Sequence, residues 1–361
     1  MSSWQRVADE FDWWLFGAAA GLALVSGLAM ASAASTVHAG LAMRHWGWTA
    51  AGMLLSIAVA RLNYRTLSEY AGLIYGLSLA ALVAVELAGA VRLGAARWLS
   101  IFGFSVQPSE LAKLATVWLL ARHLAGQGAV LPNSVVWASL AIAGVPAVLI
   151  FIQPDLGSAT IFGAIWLGIV WVAGIRGRLL AGLAGAALAA APLAWHLLKG
   201  YQRDRLLAFI NPHADPLGAG YTIIQSTIAI GSGRLWGRGW FAGTQNQLSF
   251  LPERHSDFIF SVIGEEWGWL GCVAVIALFG LLLFRVLRLA MASAAPQGQL
   301  LAVGIFSWIA YQACVNMGMV MGLLPVVGVP LPLVSYGGSS MVVVWLALGL
   351  LQSVRRADRE V

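Results

Sequence analysis

The sequence has 361 residues, 60% of them hydrophobic and 10% charged, and its formal charge is +6. Soluble domains carry about 25% charged residues, so a chain this apolar needs lipid as much of its solvent. The small positive charge is spread along the chain, and we predict no nucleic-acid partner.

The N-terminal segment 1–12 is charged and is followed by an apolar run that continues to about Ser35. That run is too long for the core of a cleavable signal peptide. We therefore expect it to be the first permanent membrane helix.

Ten apolar runs follow one another along the chain, and a helix needs roughly 20 such residues to cross a bilayer. They lie near 14–34, 46–60, 70–88, 108–124, 135–152, 157–174, 179–198, 259–284, 299–320 and 340–354. Only the segment 153–157 separates the fifth run from the sixth, and its Pro and Gly predict a stop and a restart. We expect an all-α integral membrane protein with about ten transmembrane helices, forming one polytopic domain over 1–361.

The distribution of arginine predicts the orientation, because short cytoplasmic loops carry an excess of Lys and Arg. With both termini cytoplasmic, the inner loops and tail hold Arg61, Arg65, Arg122, Arg176, Arg178, Arg285, Arg288, Arg355, Arg356 and Arg359. The short outer loops hold only Arg44, Arg92 and Arg97. We therefore expect a multi-pass membrane protein with both ends in the cytoplasm.

Two segments on the predicted outer side are long or irregular enough to carry function. Residues 199–258 form a large extracytoplasmic loop between the seventh and eighth spans, and long ordered loops are usually functional. Within it, 221–230 predicts a short amphipathic helix. Residues 321–340 are apolar but rich in Pro and Gly, and such backbone is tolerated at membrane depth only inside protein or beside a wet cavity. We expect a partly hydrated chamber in the outer half.

Glu110 and Lys113 are the first candidates for chemistry. They are three residues apart at the start of the fourth span, so they share one helix face. An ionisable group at membrane depth costs a few kcal/mol unless it is paired or hydrated. Two interpretations stay open: an internal ion pair that fixes helix packing, or a cation that meets phosphate in the chamber and is held by Glu110.

The segment 252–258, Pro-Glu-Arg-His-Ser-Asp-Phe, places four ionisable residues at a membrane boundary. Ser256 or Asp257 could simply cap the eighth helix, because Ser and Asp are favoured N-cap residues. A cap needs one polar residue, however, and the crowding also suits a catalytic carboxylate.

Other polar residues favour structural roles. We expect Asp155 to be structural, and we expect one of Glu265 and Glu266 to point inward to a polar partner such as Arg254 or Lys113. The glycines and arginines of 231–239 could hold a pyrophosphate, but a plain loop is as well supported. Cys272 and Cys314 are expected to be buried packing residues. The histidines show no ligand spacing, so we predict no metal site.

Several motifs together resemble the SEDS family of shape, elongation, division and sporulation proteins, and within it the RodA branch. The segments that carry this resemblance lie at 96–99, 107–113, 153–157, 215–221, 251–260 and 322–340. The resemblance implies a peptidoglycan glycosyltransferase that polymerises lipid II beside a class B penicillin-binding protein transpeptidase and other membrane proteins of the elongation complex. It places the essential aspartate at Asp257 and further functional positions at Trp98, Glu110 and Lys113.

The chemistry of that reaction suggests roles for the candidates. Lipid II carries an α-linked pyrophosphate and glycan strands are β-linked, so transfer inverts the anomeric carbon and needs one base for the acceptor hydroxyl. We assign the base to Asp257. The cations expected to stabilise the leaving pyrophosphate are Lys113, Arg97, Arg203, Arg205 and Arg254. Trp98 and Ser256 are further candidates for substrate binding, and a divalent cation could share the charge.

Two other functions fit parts of the pattern. A lipid II flippase would also need buried charges and irregular helices, but its polar residues should span the full membrane thickness. A non-enzymatic scaffold of the elongation complex would tolerate replacement of Asp257.

Overall fold

The computed structural model describes residues 11–35, 40–88, 90–92, 95–101 and 104–359, and these are helical over most of their length. In chain order the elements are α1 (Trp13–Ala33), α2 (Gly40–Ala60), α3 (Tyr64–Glu69), α4 (Ala71–Ala88), β1 (Ala90–Arg92), β2 (Ala95–Ile101), β3 (Phe104–Val106), α5 (Pro108–Leu124), α6 (Asn133–Ile152), α7 (Leu156–Ala173), α8 (Gly177–Leu197), α9 (Gly200–Ile210), α10 (Tyr221–Gly233), α11 (Thr244–Gln247), α12 (Ile259–Ala292), α13 (Pro296–Val320) and α14 (Gly338–Arg359).

Helices cover each of the ten predicted apolar runs. Among the described residues, six helices are long and apolar enough to cross a membrane, namely α1, α6, α7, α12, α13 and α14. Two shorter apolar helices are α4 and α8. The chain is therefore an all-helical membrane protein apart from one small sheet.

That sheet is a feature that the sequence did not predict. Strands β1, β2 and β3 form an antiparallel sheet in sequential order between α4 and α5. Ser339, beside the start of α14, joins it to the bundle: its Oγ accepts from the Gln107 N–H at 3.1 Å and donates to the Ser105 carbonyl at 3.4 Å. The short strands lie among apolar residues and lack the longer alternation that identifies a strand from sequence.

The long segment 199–258 contains more helix than expected. The amphipathic helix predicted at 221–230 is present as α10, whereas α9 and the short α11 were not predicted. The predicted stop between the fifth and sixth runs is confirmed, because α6 ends at Ile152 and α7 begins at Leu156. Asp155 caps α7, accepting from the Ser158 N–H at 3.1 Å, which confirms its structural role.

Glycines allow two of the long helices to pack closely. A Cβ at Gly349 of α14 would lie 2.4 Å from the Ser56 carbonyl oxygen of α2. A Cβ at Gly52 of α2 would lie 2.7 Å from the Trp345 ring. Small residues at such crossings are typical of membrane helices, because close backbone approach maximises van der Waals contact where the hydrophobic effect is absent.

Helix α12 is broken inside the protein. Gly268 has φ 66° and ψ −159°, which interrupts the helical hydrogen-bond ladder. The segment 234–239 satisfies the released groups: the N–H groups of Arg238 and Gly239 donate to the carbonyls of Glu265 and Glu266, each at 3.0 Å. In return, the Trp269 N–H donates to the Arg234 carbonyl at 2.8 Å. This segment, residues 234–239, is the plug of the α12 break.

Candidate active site

Asp257 lies in a tight turn directly before α12. The N–H groups of Ser256 and Phe258 donate to the Glu253 carbonyl at 3.1 and 3.3 Å. The N-cap residue of α12 is Phe258, whose side chain makes no capping hydrogen bond. Ser256 and Asp257 thus lie just before the N-cap position for which they were considered. The Asp257 side chain is half-buried, so its carboxylate is neither sealed in hydrocarbon nor fully solvated.

Three successive carbonyls of this turn are held from elsewhere in the bundle. The His255 carbonyl accepts from the Tyr336 N–H at 2.9 Å, and the Ser256 carbonyl accepts from Ser335 Oγ at 2.6 Å. The Asp257 carbonyl accepts from Asn316 Nδ2 of α13 at 2.9 Å. The backbone that carries the carboxylate is thereby fixed by residues far away in sequence, as a preorganised site requires.

Gly328, in the irregular segment before α14, borders both the carboxylate and a cation. Its φ of +70° is left-handed, which favours glycine. A Cβ at this position would lie 3.4 Å from Asp257 Oδ2 and 3.9 Å from Arg205 Nη1. Arg205 is exposed on α9, and its guanidinium lies 5.8 Å from the centre of the Tyr201 ring. The Asp257 carboxylate and the Arg205 guanidinium therefore both border Gly328.

Below this point lies a fully buried polar network. Lys113 Nζ donates to Glu110 Oε1 at 2.8 Å and to Gln312 Oε1 at 3.1 Å. Trp308 Nε1 donates to the same amide oxygen at 2.7 Å. Side chains of Lys113 and Glu110 are 0% and 1% exposed, so the structure gives them the internal ion pair that was one of the two open interpretations.

The network continues to the loop that carries Gly328. Gln312 Nε2 donates to the Pro330 carbonyl at 2.8 Å, and Asn316 Nδ2 donates to the Val329 carbonyl at 2.7 Å. Two amides of α13 thus support both the irregular loop and the turn of Asp257. Irregular backbone at membrane depth needs such internal partners, because lipid supplies none.

Two other predicted arginines donate to backbone carbonyls at helix ends. Arg254 is buried, and its Nε donates to the Ala33 carbonyl at 3.0 Å, which ties the turn to the end of α1. Arg203 donates to the carbonyls of Trp195 and His196 at 3.0 and 2.9 Å, so it closes the end of α8. Arg205 is the predicted arginine whose guanidinium borders Gly328 together with the Asp257 carboxylate.

The remaining predicted residues have less specific positions. Trp98 is half-buried on β2, and the side chain of Arg97 on the same strand lies outside the described residues. Ser256 is half-buried and donates to Glu253 Oε2 at 3.1 Å.

His255 adds a titratable group next to Asp257. Burial lowers the pKa of His255 below its usual value, while Glu253 raises it and Arg254 lowers it. Its ring lies edge-on to Tyr336, with the centroids 5.9 Å apart. The imidazole is therefore held neutral at neutral pH, which avoids a second cation beside the carboxylate.

The expectation that one of Glu265 and Glu266 points inward is corrected by the structure. Both are buried, rather than one, and their partners differ from those proposed. Glu265 accepts from the N–H groups of Gln245 and Asn246 at 2.9 and 3.2 Å. Glu266 accepts from Ser32 Oγ at 2.5 Å. The first turn of α11 supplies N–H donors, and donors at a helix start stabilise a carboxylate.

Two further expectations are settled by the packing. In the segment 231–239, the N–H groups of Arg238 and Gly239 donate to carbonyls at the α12 break and are not available to a phosphate. Cys272 is buried as predicted, but Cys314 is exposed on α13, because an apolar run does not distinguish a protein-facing side from a lipid-facing side. Among the described residues, no three His, Cys, Asp or Glu side chains are grouped to hold a metal.

Sequence reasoning missed Gln312 and Asn316 because single amides in an apolar run have no local spacing to identify them. A signal existed nevertheless. A buried amide without a partner costs free energy, so its presence in a membrane helix predicts a specific acceptor. Only the fold shows that the acceptors are the carbonyls around Asp257 and Pro330.

Comparison with known proteins places this chain in a family. Residues 11–360 match the cell cycle protein family FtsW/RodA/SpoVE. The chain is 41% identical over 325 residues to the peptidoglycan glycosyltransferase MrdB of Escherichia coli strain K12, covering 89% of this chain and 87% of that protein. It is 34% identical over 365 residues to the stage V sporulation protein E of Bacillus subtilis strain 168, covering 94% and 95%.

Solved structures agree with these relatives. The chain superposes with a TM-score of 0.82 and 33% identity on a chain of a peptidoglycan synthase complex that coordinates polymerization and crosslinking, covering 97% of this chain and 99% of that one. The rod shape determining protein RodA of Thermus thermophilus gives a TM-score of 0.72 and 30% identity over 96% and 97%. The family resemblance of the motifs is thus confirmed over nearly the whole chain, which belongs to the FtsW/RodA/SpoVE family.

Proposed function

We propose that this chain polymerises lipid II at the outer face of the membrane, with Asp257 as the general base. The chain is a peptidoglycan glycosyltransferase of the RodA type and a multi-pass protein of the bacterial inner membrane, acting in cell elongation and rod-shape maintenance. The observation that carries the residue assignment is the Asp257 turn: its backbone is fixed by three hydrogen bonds, and its carboxylate borders Gly328 opposite Arg205.

The stereochemistry requires only one carboxylate. An α-linked pyrophosphate donor and a β-linked product imply inversion, so a base must take the proton of the attacking hydroxyl. Pyrophosphate is a good leaving group that needs charge neutralisation more than a proton. One carboxylate and a nearby cation therefore suffice, and preorganised cations at a developing charge supply much of such catalysis.

Arg205 is the cation that we place at the leaving pyrophosphate. It is exposed, and it shares the border of Gly328 with Asp257. Ser256 lies beside Asp257 in the turn and is proposed to contact a saccharide hydroxyl. Arg97 and Trp98 are proposed to form the rim of the site. Arg203 acts through its bonds to α8, which hold α9 and hence Arg205 in place.

Lys113, Glu110 and Arg254 act from the interior in this proposal. Lys113 and Glu110 are enclosed with Gln312, and Gln312 supports the Pro330 carbonyl. Arg254 is buried against Ala33. The Lys113–Glu110 pair is neutral overall and contributes rigidity, and Arg254 adds positive potential near the site; none of the three is proposed to contact phosphate directly.

We propose a topology of ten spans with both termini cytoplasmic and residues 199–258 on the outer side, within a single domain. The helices cover all ten apolar runs, and the arginine distribution favours this orientation. The Asp257 turn and Arg205 then lie where the sugar of a lipid-anchored substrate is accessible while its tail stays in the bilayer.

We also propose a class B penicillin-binding protein as the partner, within the membrane proteins of the elongation complex. Support comes from the matched synthase complex, in which polymerization and crosslinking are coordinated. A polymerase and a transpeptidase acting on one strand gain from a shared assembly, because tethering raises the effective concentration of the second site.

The test is glycan synthesis by purified protein. Asp257→Asn keeps the shape of the side chain but removes its basicity, and polymerisation of lipid II should fall by about 10²–10⁴-fold. Asp204→Asn, the same change at an exposed position of α9, serves as the matched control and should retain activity. Both variants should be expressed equally and should bind the transpeptidase partner.

Assays with and without the transpeptidase separate the remaining alternatives. Elongation of glycan by Asp257→Asn at the wild-type rate would overturn the assignment of the base. No polymerisation by the wild-type chain in either assay, together with partner binding, would favour a scaffold.

A further inference from the structure

A basic cleft lies at the end of α12 opposite to Asp257. It has a volume of about 350 Å³ and contains four arginines and two aspartates, so its formal charge is +2. The residues that line it are Asp12, Arg285, Arg288, Leu289, Ala292, Arg355, Asp358 and Arg359. The arginine cleft, as we call it, joins the residue before α1 to the ends of α12 and α14.

One buried carboxylate organises two of the arginines. Asp12 Oδ2 lies 2.7 Å from Arg285 Nη2 and 2.7 Å from Arg355 Nη1, and the Asp12 side chain is 3% exposed. Burial alone would raise the pKa of Asp12, but the hydrogen bond and charge of Arg285 hold it below the usual value. Asp12 therefore remains ionised and keeps two guanidinium groups in fixed positions.

The cleft has capacity for a further anion. Asp12 is shared between two arginines, and Arg355 Nε is buried without a hydrogen-bond partner among the described residues. Arg288 is exposed, and its guanidinium lies 5.0 Å from the centre of the Phe284 ring. Planar guanidinium groups bind phosphate oxygens in pairs, so this arrangement suits a phosphate group.

The position of the cleft indicates the source of that phosphate. The regular part of α12 after the break, from Trp269 to Arg285, alone rises roughly 24 Å at 1.5 Å per residue, and the residues from Ile259 to Gly268 add to this height. A bilayer with its head groups measures about 40–45 Å, so the cleft lies at the head groups of the leaflet opposite to Asp257. Trp13 and Trp14 are exposed beside Asp12, and Met291 is exposed beside Ala292. Exposed tryptophans are typical of the membrane interface.

We infer that the arginine cleft binds the head group of an anionic phospholipid, with its acyl chains along the exposed apolar residues of α1 and α12. Basic pockets between helices at the cytoplasmic leaflet bind such lipids. The bound lipid bridges the arginines of α12 and α14, which Asp12 holds in place, and so stabilises the folded bundle. This site is independent of the glycosyl transfer proposed above.

The test is thermal unfolding of the full chain purified in a neutral detergent. Phosphatidylglycerol or cardiolipin should raise the Tm by several degrees over an equal amount of phosphatidylcholine, because a ligand that binds only the folded state stabilises it. Inorganic phosphate at the same concentration should give no such rise. An equal rise with inorganic phosphate would overturn the lipid as ligand and leave a site for free anions.

Variants locate the effect. Arg288→Gln and the double variant Arg288→Gln with Arg359→Gln should need about tenfold more phosphatidylglycerol for the same shift, since charge-assisted bonds to phosphate are lost. Arg178→Gln removes an exposed arginine outside the cleft and should behave like the wild type. Native mass spectrometry should show fewer bound anionic lipids in the double variant. Equal shifts in Tm and equal numbers of bound lipids in all variants would overturn the proposal. These arginines would then serve only to set the orientation of the chain in the membrane.

Discussion

Lys113 is fully enclosed by the fold, and its ammonium group donates hydrogen bonds to side chains that lie both near and far in sequence. Glu110 is one helical turn away, whereas Gln312 belongs to α13. Removing one member of a buried pair leaves the other charged and unpaired, which costs more than the pair itself contributes. The role of Lys113 can therefore be separated from direct substrate binding by measuring stability and activity together.

We predict that Lys113→Met lowers the stability of the folded chain by about 3 kcal/mol or more, because Glu110 is left unpaired in the interior. The double variant Lys113→Met with Glu110→Gln should recover much of that loss, since no buried charge remains. Thermal unfolding in detergent measures both. A single variant with wild-type stability but weakened lipid II polymerisation would instead show that Lys113 meets the pyrophosphate directly.

At the scale of elements, the position of the outer half of α12 depends on the break at Gly268. Gly268 has a φ of +66°, and a Cβ there would lie 2.3 Å from the backbone nitrogen of Gly237 in the plug. The plug supplies donors and acceptors that the broken ladder lacks, so the two segments are complementary in hydrogen bonding as well as in shape.

We predict that Gly268→Ala destabilises the chain by several kcal/mol, because the side chain strains the backbone and displaces the plug. Gly280→Ala, in the regular part of the same helix with open space at its Cβ, is the matched control and should be neutral or slightly stabilising. Unfolding of the two purified variants compares them. Equal stability would mean that the plug tolerates a methyl group and that the break is not rigid.

Hydropathy predicts the long helices because each apolar run is long enough to form one membrane helix. It could not predict β1 to β3, since their pairing depends on contacts with residues beyond the local sequence, such as Ser339. The same limit applies within the site. Asp257 stands in a conspicuous cluster, but Asn316 is a single amide whose acceptor lies 59 residues away. Arg205 was one candidate among several, and only the fold places it at Gly328.

At the scale of the whole molecule, the two proposed sites lie at opposite ends of α12. The Asp257 turn and α9 lie at one end, and the arginine cleft lies at the other. The proposed topology makes the first end periplasmic and the second cytoplasmic. Both ends share α12, so a single helix joins the Asp257 turn to the arginine cleft.

Cysteine labelling tests this orientation. In a Cys314→Ser background, Asp204→Cys should react with a membrane-impermeant maleimide added to intact spheroplasts, because α9 is predicted to lie outside. Arg178→Cys should react only after the membrane is opened. Both positions are exposed, so accessibility within the protein does not bias the comparison. Labelling of Arg178→Cys in intact spheroplasts would reverse the proposed topology.

The plug also has a consequence for biosynthesis. Residues 234–239 leave the ribosome before Gly268, so the groups that complete the interrupted ladder already exist when the interruption is made. The nascent segment around Gly268 can form hydrogen bonds with the plug as it emerges. Its amide groups are then paired before they reach the hydrocarbon of the bilayer. A circular permutation, or a split of the gene between the plug and Gly268, would expose those amides during insertion. The order of the two segments along the chain is therefore part of how α12 enters the bilayer.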